Sequence, residues 1–336
     1  MRTLHQIDIK TFSQRIEHVC LLDARSEGEF LQGHIPGAVS FPLLNNQERI
    51  LVGTCYKTKG SFEAVVLGYE LVAPKFAKMI KNAHMAFGKN KLIVHCWRGG
   101  LRSQILGNLL LSAGFDVTVI TGGYKAYRNF VQEGFKIEFP IKVLGGYTGS
   151  GKTDILYGLR LKGQQVIDLE GLANHRGSAF GGIGKGLQPT QEQFENNLFS
   201  LLYLQDKNKC IWVEDESRLI GKIQIPDAFF QQIRKAPLYF IEIAVESRIN
   251  TIIEHYAKHN TDDLVKATQQ IAKKLGDLRT RMAVEALQNH DYKAWVAEVL
   301  FYYDKAYNNG LLSKVNSSKV QLSGDKQDII SQLIAS

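Results

Sequence analysis

The sequence predicts an α/β protein built from two parallel-sheet domains. Short apolar strands alternate with helical stretches along most of the chain, and two glycine-rich loops each follow one such strand and open a helix. The length of 336 residues also fits two domains. Because parallel sheets carry their ligand sites at the carboxyl ends of the strands, both loops are expected to be functional.

The first domain is expected over residues 12–135. Its buried strands are predicted at CLLDAR, KLIVHC and DVTVITGG, with the helix SQILGNLLLSAG between the last two. The segment FKIEFPIKVLGGYTGSGKT then begins a new strand, loop and helix, which places the domain boundary near residues 130–140.

The second domain is expected over residues 136–336. Strands are predicted at QVIDLE, CIWVED and PLYFIEIA, and a last strand at KVQLSG precedes the closing helix DKQDIISQLIAS. Residues 247–307 mix charged and apolar residues in a helical pattern and form a helical extension of this domain.

Composition limits the class of protein and its partners. Hydrophobic residues make up 44% and charged residues 22%, which is typical of a folded globular protein. We find no secretion signal and no membrane-spanning stretch, and the net charge of +8 favours an anionic partner such as RNA or a phosphorylated metabolite. The cysteines are far apart, without CxxC or metal-ligand spacing, which favours reduced thiols in the cytoplasm. They are Cys20, Cys55, Cys96 and Cys210.

The first loop, HCWRGGLRS, places Cys96 at the end of a buried strand and at the start of a helix. Only a thiolate attacks, and backbone N–H groups and arginines stabilise a thiolate. The spacing Cys96-x5-Arg102 suits a nucleophilic cysteine that works on a bound oxyanion, with the arginine as a bidentate clamp. A buried structural cysteine before a tight turn is the simpler alternative. The candidate donor-binding residues are Arg98, Gly99, Gly100 and Arg102.

The second loop, GYTGSGKT, matches the phosphate-binding P-loop pattern between a strand and a helix, and predicts a P-loop NTPase-like domain. Its backbone N–H groups would hold phosphates, Lys152 would neutralise them, and the Thr153 hydroxyl could bind Mg²⁺. A nucleotide is the default occupant, but any diphosphate could bind. The remaining candidate residues of this loop are Gly146, Gly149, Ser150 and Gly151.

Two acidic strand ends and a glycine-rich segment accompany the P-loop. VIDLEG and WVEDES end in carboxylates that could position a reacting group or Mg²⁺, although helix capping explains such residues equally well. The segment GLANHRGSAFGGIGKG is predicted to be a mobile loop over the phosphate site, with a plain surface loop as the alternative. The candidate supporting residues are Asp168, Glu170, His175, Arg176, Glu216 and Arg218.

These motifs together resemble known families. DARSEGEFLQGHIPGA and HCWRGGLRS resemble the signature and active-site loop of rhodanese domains. A rhodanese-like domain followed by a P-loop domain resembles the bacterial tRNA 2-selenouridine synthases, as do the blocks VGTCYK, GGYKAYR, DLEGLANHRGS and ESRLIG. The resemblance runs from Asp23 to Gly221, and Tyr147 departs from the family pattern within the P-loop.

The resemblance implies a transferase that converts wobble 2-thiouridine of tRNA to 2-selenouridine, with selenophosphate as donor. It also implies a geranylated intermediate made with geranyl diphosphate, and a selenium adduct such as S-selanylcysteine at Cys96. The partner is then the anticodon stem-loop of tRNA, whose wobble base is already single-stranded. Residues 247–307 are a candidate tRNA surface, with an ordinary solvated helical face as the alternative.

Two other classes of function remain open from the residues. Cys-x5-Arg-Ser is also the spacing of cysteine phosphatases, although the loop has no obvious general-acid aspartate, and a sulfurtransferase regulated by a nucleotide-binding domain is related to it. A non-catalytic, nucleotide-switched adaptor is the other class, and the intact cysteine with both arginines argues against it.

Overall fold

The structure is a computed structural model that describes residues 3–14, 19–88, 91–312 and 319–336. The chain divides into two compact units, one ending at Gly134 and the other beginning at Phe135. The predicted α/β class is confirmed. No helix in the described ranges is long and apolar enough to cross a membrane.

The first unit is built on five parallel strands in the order β1-β5-β4-β2-β3. All three strands predicted for this domain are present, because runs such as LIVH are apolar enough to be covered on both faces. The sheet also has an edge strand upstream of residue 12, where the domain was expected to begin. The strands are β1 (His5–Ile7), β2 (Cys20–Asp23), β3 (Val39–Ser40), β4 (Leu92–His95) and β5 (Val117–Ile120).

Helices cover this sheet, and a long helix pair connects β3 to the rest of the unit. α3 and α4 pack side by side and are joined at Gly60, whose φ of +94° suits the sharp turn. The core holds Leu22, Val94 and Leu106, all fully buried. The helices are α1 (Ile9–Ser13), α2 (Glu27–Gln32), α3 (Asn46–Lys59), α4 (Ser61–Val72), α5 (Phe76–Phe87), α6 (Leu101–Ser112) and α7 (Gly123–Gly134).

The second unit contains another five-stranded parallel sheet, in the order β12-β11-β6-β8-β7, and a short antiparallel hairpin, β9-β10. All four strands predicted after the P-loop lie in the sheet, and the P-loop strand β6 is central. The strands are β6 (Ile141–Gly146), β7 (Gln165–Ile167), β8 (Ile211–Glu214), β9 (Leu219–Ile220), β10 (Ile223–Gln224), β11 (Leu238–Ile241) and β12 (Lys319–Leu322).

The helical region has a hydrophobic core of its own. Trp295 is buried there and donates its indole N–H to the Thr268 hydroxyl over 3.1 Å, and Phe180 from the glycine-rich segment packs against it. The helices of this unit are α8 (Lys152–Leu161), α9 (Leu169–Ala173), α10 (Gln191–Tyr203), α11 (Asp227–Lys235), α12 (Val245–Tyr256), α13 (Thr261–Gln270), α14 (Ala272–Leu275), α15 (Asp277–Gln288), α16 (Tyr292–Leu312) and α17 (Lys326–Ala335).

Candidate functional site

Cys96 lies directly after β4, at the amino end of α6, and its side chain is buried. Its Sγ is 3.2 Å from the Oγ of Ser103, which is also buried, in the first turn of α6. Ser103 donates in turn to the carbonyl oxygen of Gly100 over 3.0 Å. The thiol therefore sits beside a hydroxyl and the first turn of a twelve-residue helix.

Glycines fix the shape of the cysteine loop. Gly99 has a φ of +67°, and a Cβ there would lie 2.6 Å from the Ile120 carbonyl oxygen. Gly123, with a φ of +56°, packs even closer, since its Cβ would lie 2.2 Å from the Cys96 carbonyl oxygen. In the described structure the N–H groups of residues 97–100 carry no hydrogen bond, so they are available to an anion.

The two arginines of this loop have different surroundings. Arg98 is exposed and has no ion pair with any described residue. Arg102 forms a two-point pair with Glu29, over 2.6 and 3.3 Å, and Arg49 approaches the same carboxylate to 3.2 Å. Burial disfavours the charged carboxylate, but Arg102 outweighs it and lowers the pKa of Glu29 to about 2. The predicted anion clamp, Arg102, therefore holds an internal carboxylate.

A buried charged pair lies beneath the loop. Arg25 contacts Asp23 over 2.6 Å, and its guanidinium stacks 3.7 Å from the centre of the Tyr124 ring. His95 is fully buried 3.7 Å from Asp23, and burial lowers its pKa to about 4, so the ring is neutral at physiological pH. These residues belong to the floor of the site, since they are buried and the pair is satisfied within the protein.

The P-loop connects β6 to α8 in the predicted geometry. Gly149 and Gly151 have φ values of +82° and +76°, and a Cβ on Gly149 would lie 2.7 Å from the Arg248 carbonyl oxygen. Among the residues that the structure describes, the N–H groups of 147–149 and 151–153 carry no hydrogen bond. They form a second set of donors for an anion at the amino end of a helix.

Three polar side chains of this loop have different surroundings. Lys152 donates to the Gly146 carbonyl oxygen over 2.8 Å, and the Ser150 hydroxyl is buried without a partner in the described structure. Thr153 is exposed in the first turn of α8. The described residues contain no group of three or more His, Cys, Asp or Glu arranged to hold a metal ion, so a metal here would take most of its ligands from phosphate and water.

Helix α16 supports the P-loop from outside the sequence motif. The Tyr307 hydroxyl accepts from the Gly146 N–H over 3.2 Å and donates to Asp215 over 2.7 Å, and burial together with Asp215 raises the pKa of Tyr307. Arg248, paired with Asp304 of α16, donates to a loop carbonyl oxygen over 2.9 Å. The loop is thus held in shape by tertiary contacts.

Tyr147, the departure from the family pattern, faces the same helix. Its ring packs 5.3 Å from Phe240 and 5.6 Å from Tyr307, and its hydroxyl donates to Asn308 over 2.8 Å. A tyrosine at this position therefore affects the packing against α16 and leaves the N–H donors of the loop in place.

Three carboxylates lie together at the ends of β7 and β8. The Glu170 N–H donates to Glu214 over 2.7 Å, and Glu170 and Glu216 both lie beside Gly177. Burial, and then the charge of Glu170, raises the pKa of Glu214 to about 8, and burial raises the pKa of Glu170 and Glu216 as well. Lys152 opposes all three rises. Asp168 instead caps α9 by accepting the Gly171 N–H over 2.7 Å.

Of the other supporting candidates, Arg176 interacts with this cluster, since its charge opposes the rise in the pKa of Glu170. His175 packs against Gly181 and Gly221, and burial lowers its pKa. Arg176 lies 5.6 Å from the Tyr256 ring, and Phe180 anchors the same segment in the helical core, so the segment is not free along its whole length. Arg218 pairs with Asp227 at the start of α11, and no contact in the described residues ties it to the P-loop.

The sequence predictions missed several residues that touch the two loops. Ser103 could have been identified from the sequence, because a hydroxyl in the first helical turn after a strand-end cysteine can contact the thiol. Glu29, Arg248 and Tyr307 carry no local signal, since each reaches its loop from an element distant in sequence.

Comparison with known proteins agrees with this arrangement. Residues 8–130 match the family model of the rhodanese-like domain, and residues 139–336 match that of the tRNA 2-selenouridine synthase AAA domain. The chain is 35% identical to the tRNA 2-selenouridine synthase of Nitrosomonas europaea over 87% of this chain and 89% of the relative. It is 36% identical to that of Bdellovibrio bacteriovorus (88% and 89%) and 34% identical to that of Pseudomonas syringae (95% and 95%).

The relatives are therefore matched across both units. A rhodanese-like unit carrying Cys96 and a second unit carrying the P-loop occur in the same order in the family models and in this structure. The chain belongs to the tRNA 2-selenouridine synthase family.

Proposed function

We propose that this protein is a tRNA 2-selenouridine synthase, which replaces the sulfur of wobble 2-thiouridine in tRNA by selenium from selenophosphate. The observation that carries the proposal is Cys96, a buried thiol at the start of a loop whose N–H groups, those of residues 97–100, carry no hydrogen bond in the described part of the chain. Such a loop suits a nucleophile that handles an anionic donor. The names of the relatives support the same reaction. Because the substrate is tRNA and the thiol must stay reduced, we place the reaction in the cytoplasm.

Selenophosphate is an oxyanion, and the N–H groups of residues 97–100 suit its phosphoryl oxygens. The exposed Arg98 adds a positive charge that no described residue neutralises. The Cys96 thiolate then attacks C2 of the alkylated base, and the geranylthiolate leaves and takes up a proton from solvent. The selenium of selenophosphate displaces the Cys96 thiolate from C2, and water cleaves the P–Se bond to release phosphate. Arg102 contributes by holding α2 and the loop together through Glu29.

The P-loop, in this proposal, holds geranyl diphosphate for a preceding step. The thiouridine sulfur attacks the first carbon of the geranyl chain, a C–S bond forms, and the C–O bond to diphosphate breaks with its electron pair on the diphosphate. Lys152 and the N–H groups of the loop offset the charge that develops on this leaving group. A Mg²⁺ ion brought by the diphosphate would be held by the Thr153 hydroxyl and would supply further charge neutralisation. Alkylation makes the sulfur a better leaving group for the selenium exchange.

The first test is nucleoside mass spectrometry of tRNA from cells that lack the gene, complemented with the wild type or Cys96→Ser and grown with selenium. We expect the serine variant to form no 2-selenouridine while it keeps its fold and tRNA binding. Cys210→Ser is the matched control, because Cys210 precedes β8 in the other unit. Normal 2-selenouridine in the Cys96 variant would remove the thiol from the mechanism. Phosphoester hydrolysis that depends on Cys96 would favour the phosphatase alternative.

The second test separates the two steps. Lys152→Ala should slow geranylation, yet make 2-selenouridine when given geranylated tRNA and selenophosphate. Cys96→Ser should accumulate geranylated tRNA, provided that the prenyl transfer needs no thiol. Loss of both steps in a folded Lys152 variant would contradict this division of labour and favour nucleotide-driven coupling of the units.

A further inference from the structure

The helix pair α3–α4 contributes little to the core of the first unit. α3 has 14 residues and none of them is buried, and in α4 only Ala64 and Val72 are buried. Most helices of a globular domain bury an apolar stripe against a sheet or another helix. The length of this pair is therefore not explained by core packing.

The outer surface of the pair is rich in exposed aromatic side chains. Phe62 is 75% and Tyr56 61% exposed, on either side of the turn at Gly60. Phe62, Val66 and Tyr69 follow one another at spacings of four and three residues, so they share one face of α4, and all three are exposed. A contiguous aromatic face of this kind marks an interaction surface.

The charge of the same surface selects the class of partner. The basic residues at the turn are Lys57 and Lys59, while α4 also carries the exposed Glu63 and Glu70. Lys57 and Lys59 are exposed at the turn and form no ion pair in the described structure. Protein interfaces are depleted in lysine, whereas proteins that bind single-stranded nucleic acid combine basic groups for phosphates with aromatic rings for bases.

The helix pair is also continuous with the cysteine loop. Asn46 at the start of α3 accepts the Gly28 N–H over 2.8 Å, and Arg49 shares the Glu29 carboxylate with Arg102. One end of α3 is thus tied to the site, and its 14 residues span about 21 Å at about 1.5 Å per residue. The aromatic turn lies one helix length from that end, so an RNA whose base enters the cysteine loop can reach it.

We propose that the α3–α4 pair is an RNA-binding arm that grips the single-stranded loop of the substrate tRNA. Tyr56 and Phe62 stack on bases, and Lys57 and Lys59 contact phosphates. This inference rests on the proposed function for the identity of the RNA. It places a tRNA-binding surface on the unit that carries Cys96, whereas the sequence analysis offered the helical region 247–307 as a candidate, with an ordinary solvated face as the alternative.

The test measures binding of a thiolated anticodon stem-loop to the full-length protein by fluorescence anisotropy over a range of KCl concentrations. The variants are Lys57→Ala/Lys59→Ala and Tyr56→Ala/Phe62→Ala. The control is Lys273→Ala/Lys274→Ala, which removes two exposed lysines from α14 in the helical region. Thermal unfolding should be unchanged in all three, because the replaced side chains are exposed.

We expect a shallower salt dependence in the Lys57/Lys59 variant. The magnitude of the negative slope of log affinity against log salt should fall by about 1.4, since each single-strand phosphate contact contributes about 0.7. The Tyr56/Phe62 variant should raise Kd about tenfold or more with an unchanged slope, because stacking is not ionic. In both variants the tRNA concentration for half-maximal selenation should rise, while the rate at saturation stays the same.

The outcomes separate this inference from the proposed function. If the wild type binds and selenates tRNA but neither variant weakens binding, the arm is refuted and the proposed function stands. If only the control variant weakens binding, the helical region is the RNA surface. A loss of affinity in the aromatic variant without any change of slope in the lysine variant would refute the phosphate contacts assigned to Lys57 and Lys59. Absence of tRNA binding by the wild type would overturn both proposals.

Discussion

Replacement of Arg102 by alanine tests whether this arginine serves the fold or the ligand. Its guanidinium makes two hydrogen bonds to the Glu29 carboxylate, which is only 14% exposed. A structural role predicts that Arg102→Ala destabilises the protein, because it removes the main partner of a mostly buried charge. A ligand role predicts instead a higher requirement for the selenium donor at unchanged stability.

The pKa of Glu29 sets the size of the expected effect. It falls from an ordinary 4.5 to about 2, and at about 1.36 kcal/mol per pH unit the interactions of the charged form contribute about 3 kcal/mol to folding. Arg49 and the Ser26 N–H also hold this carboxylate. We therefore expect Arg102→Ala to lower the free energy of unfolding by about 2 kcal/mol at pH 7.

The pH dependence gives an independent signature. Because the pKa of Glu29 is lower in the folded than in the unfolded protein, its contribution is complete above pH 4.5 and is lost as the pH falls toward 2. Denaturant unfolding from pH 7 to pH 3 should show a constant gap between wild type and Arg102→Ala at neutral pH that narrows below pH 4.5. The gap in unfolding free energy between the wild type and Glu29→Gln should narrow over the same pH range.

Arg98→Ala is the matched control, since Arg98 is exposed and has no ion pair in the described structure. Its stability should stay within about 0.5 kcal/mol of the wild type, while it requires more selenophosphate for half-maximal activity. Equal stabilities of Arg102→Ala and the wild type, together with a raised donor requirement in Arg102→Ala, would refute our reasoning. Arg102 would then have to leave Glu29 to bind the donor.

Three other substitutions test the geometry of the loops. Gly99→Ala should lower the free energy of unfolding by more than about 2 kcal/mol, because Gly99 has a positive φ and the added Cβ would lie 2.6 Å from a backbone oxygen. Gly100→Ala is the control and should cost much less, because Gly100 has a φ of −92° and open space around it. Ser103→Ala should slow alkylation of Cys96 by iodoacetamide about tenfold at neutral pH. The reason is that the Ser103 hydroxyl can turn its proton from the Gly100 oxygen to the thiolate, and a hydrogen bond to a charged group is worth about 1.5–3 kcal/mol. Ser103→Thr should retain most of the rate, and equal rates in the wild type and both variants would exclude a role for the hydroxyl. Tyr307→Phe removes the hydroxyl that accepts the Gly146 N–H and should lower the free energy of unfolding by about 1–3 kcal/mol. The variant should also bind geranyl diphosphate more weakly, as measured by calorimetry. An unchanged affinity would show that α16 does not shape the P-loop.

The sequence predicted those parts of the fold that depend on local chemistry. Apolar runs such as CLLD and LIVH are typical of buried strands, and Gly99, Gly149 and Gly151 occupy loop positions where the backbone has a positive φ. The edge strand His5–Ile7 was missed, since it is short and half exposed, and its pairing with β5 depends on residues more than 100 positions away.

The missing parts of the site are long-range pairs. Glu29 lies 73 residues before Arg102, and Tyr307 lies 161 residues after Gly146. The carboxylates after β7 and β8 were identified as candidates, but only the fold shows that Glu170, Glu214 and Glu216 share one partly buried space while Asp168 caps a helix. Burial decides their protonation, and no pattern of acidic residues in a sequence reports burial.

The spacing Cys96-x5-Arg102 does not by itself determine which anion Arg102 binds. An anion at the cysteine loop can be bound by backbone N–H groups alone, and those groups are aligned by glycines rather than by charge. The arginine that ends the motif is then free to take another partner, and in this protein a carboxylate of α2 is available to it. A sequence shows that an arginine will meet an anion, but not whether that anion is a ligand or a side chain. Cys-x5-Arg therefore predicts the nest at the thiol, and the carboxylate 2.6 Å from Arg102 decides what the arginine does.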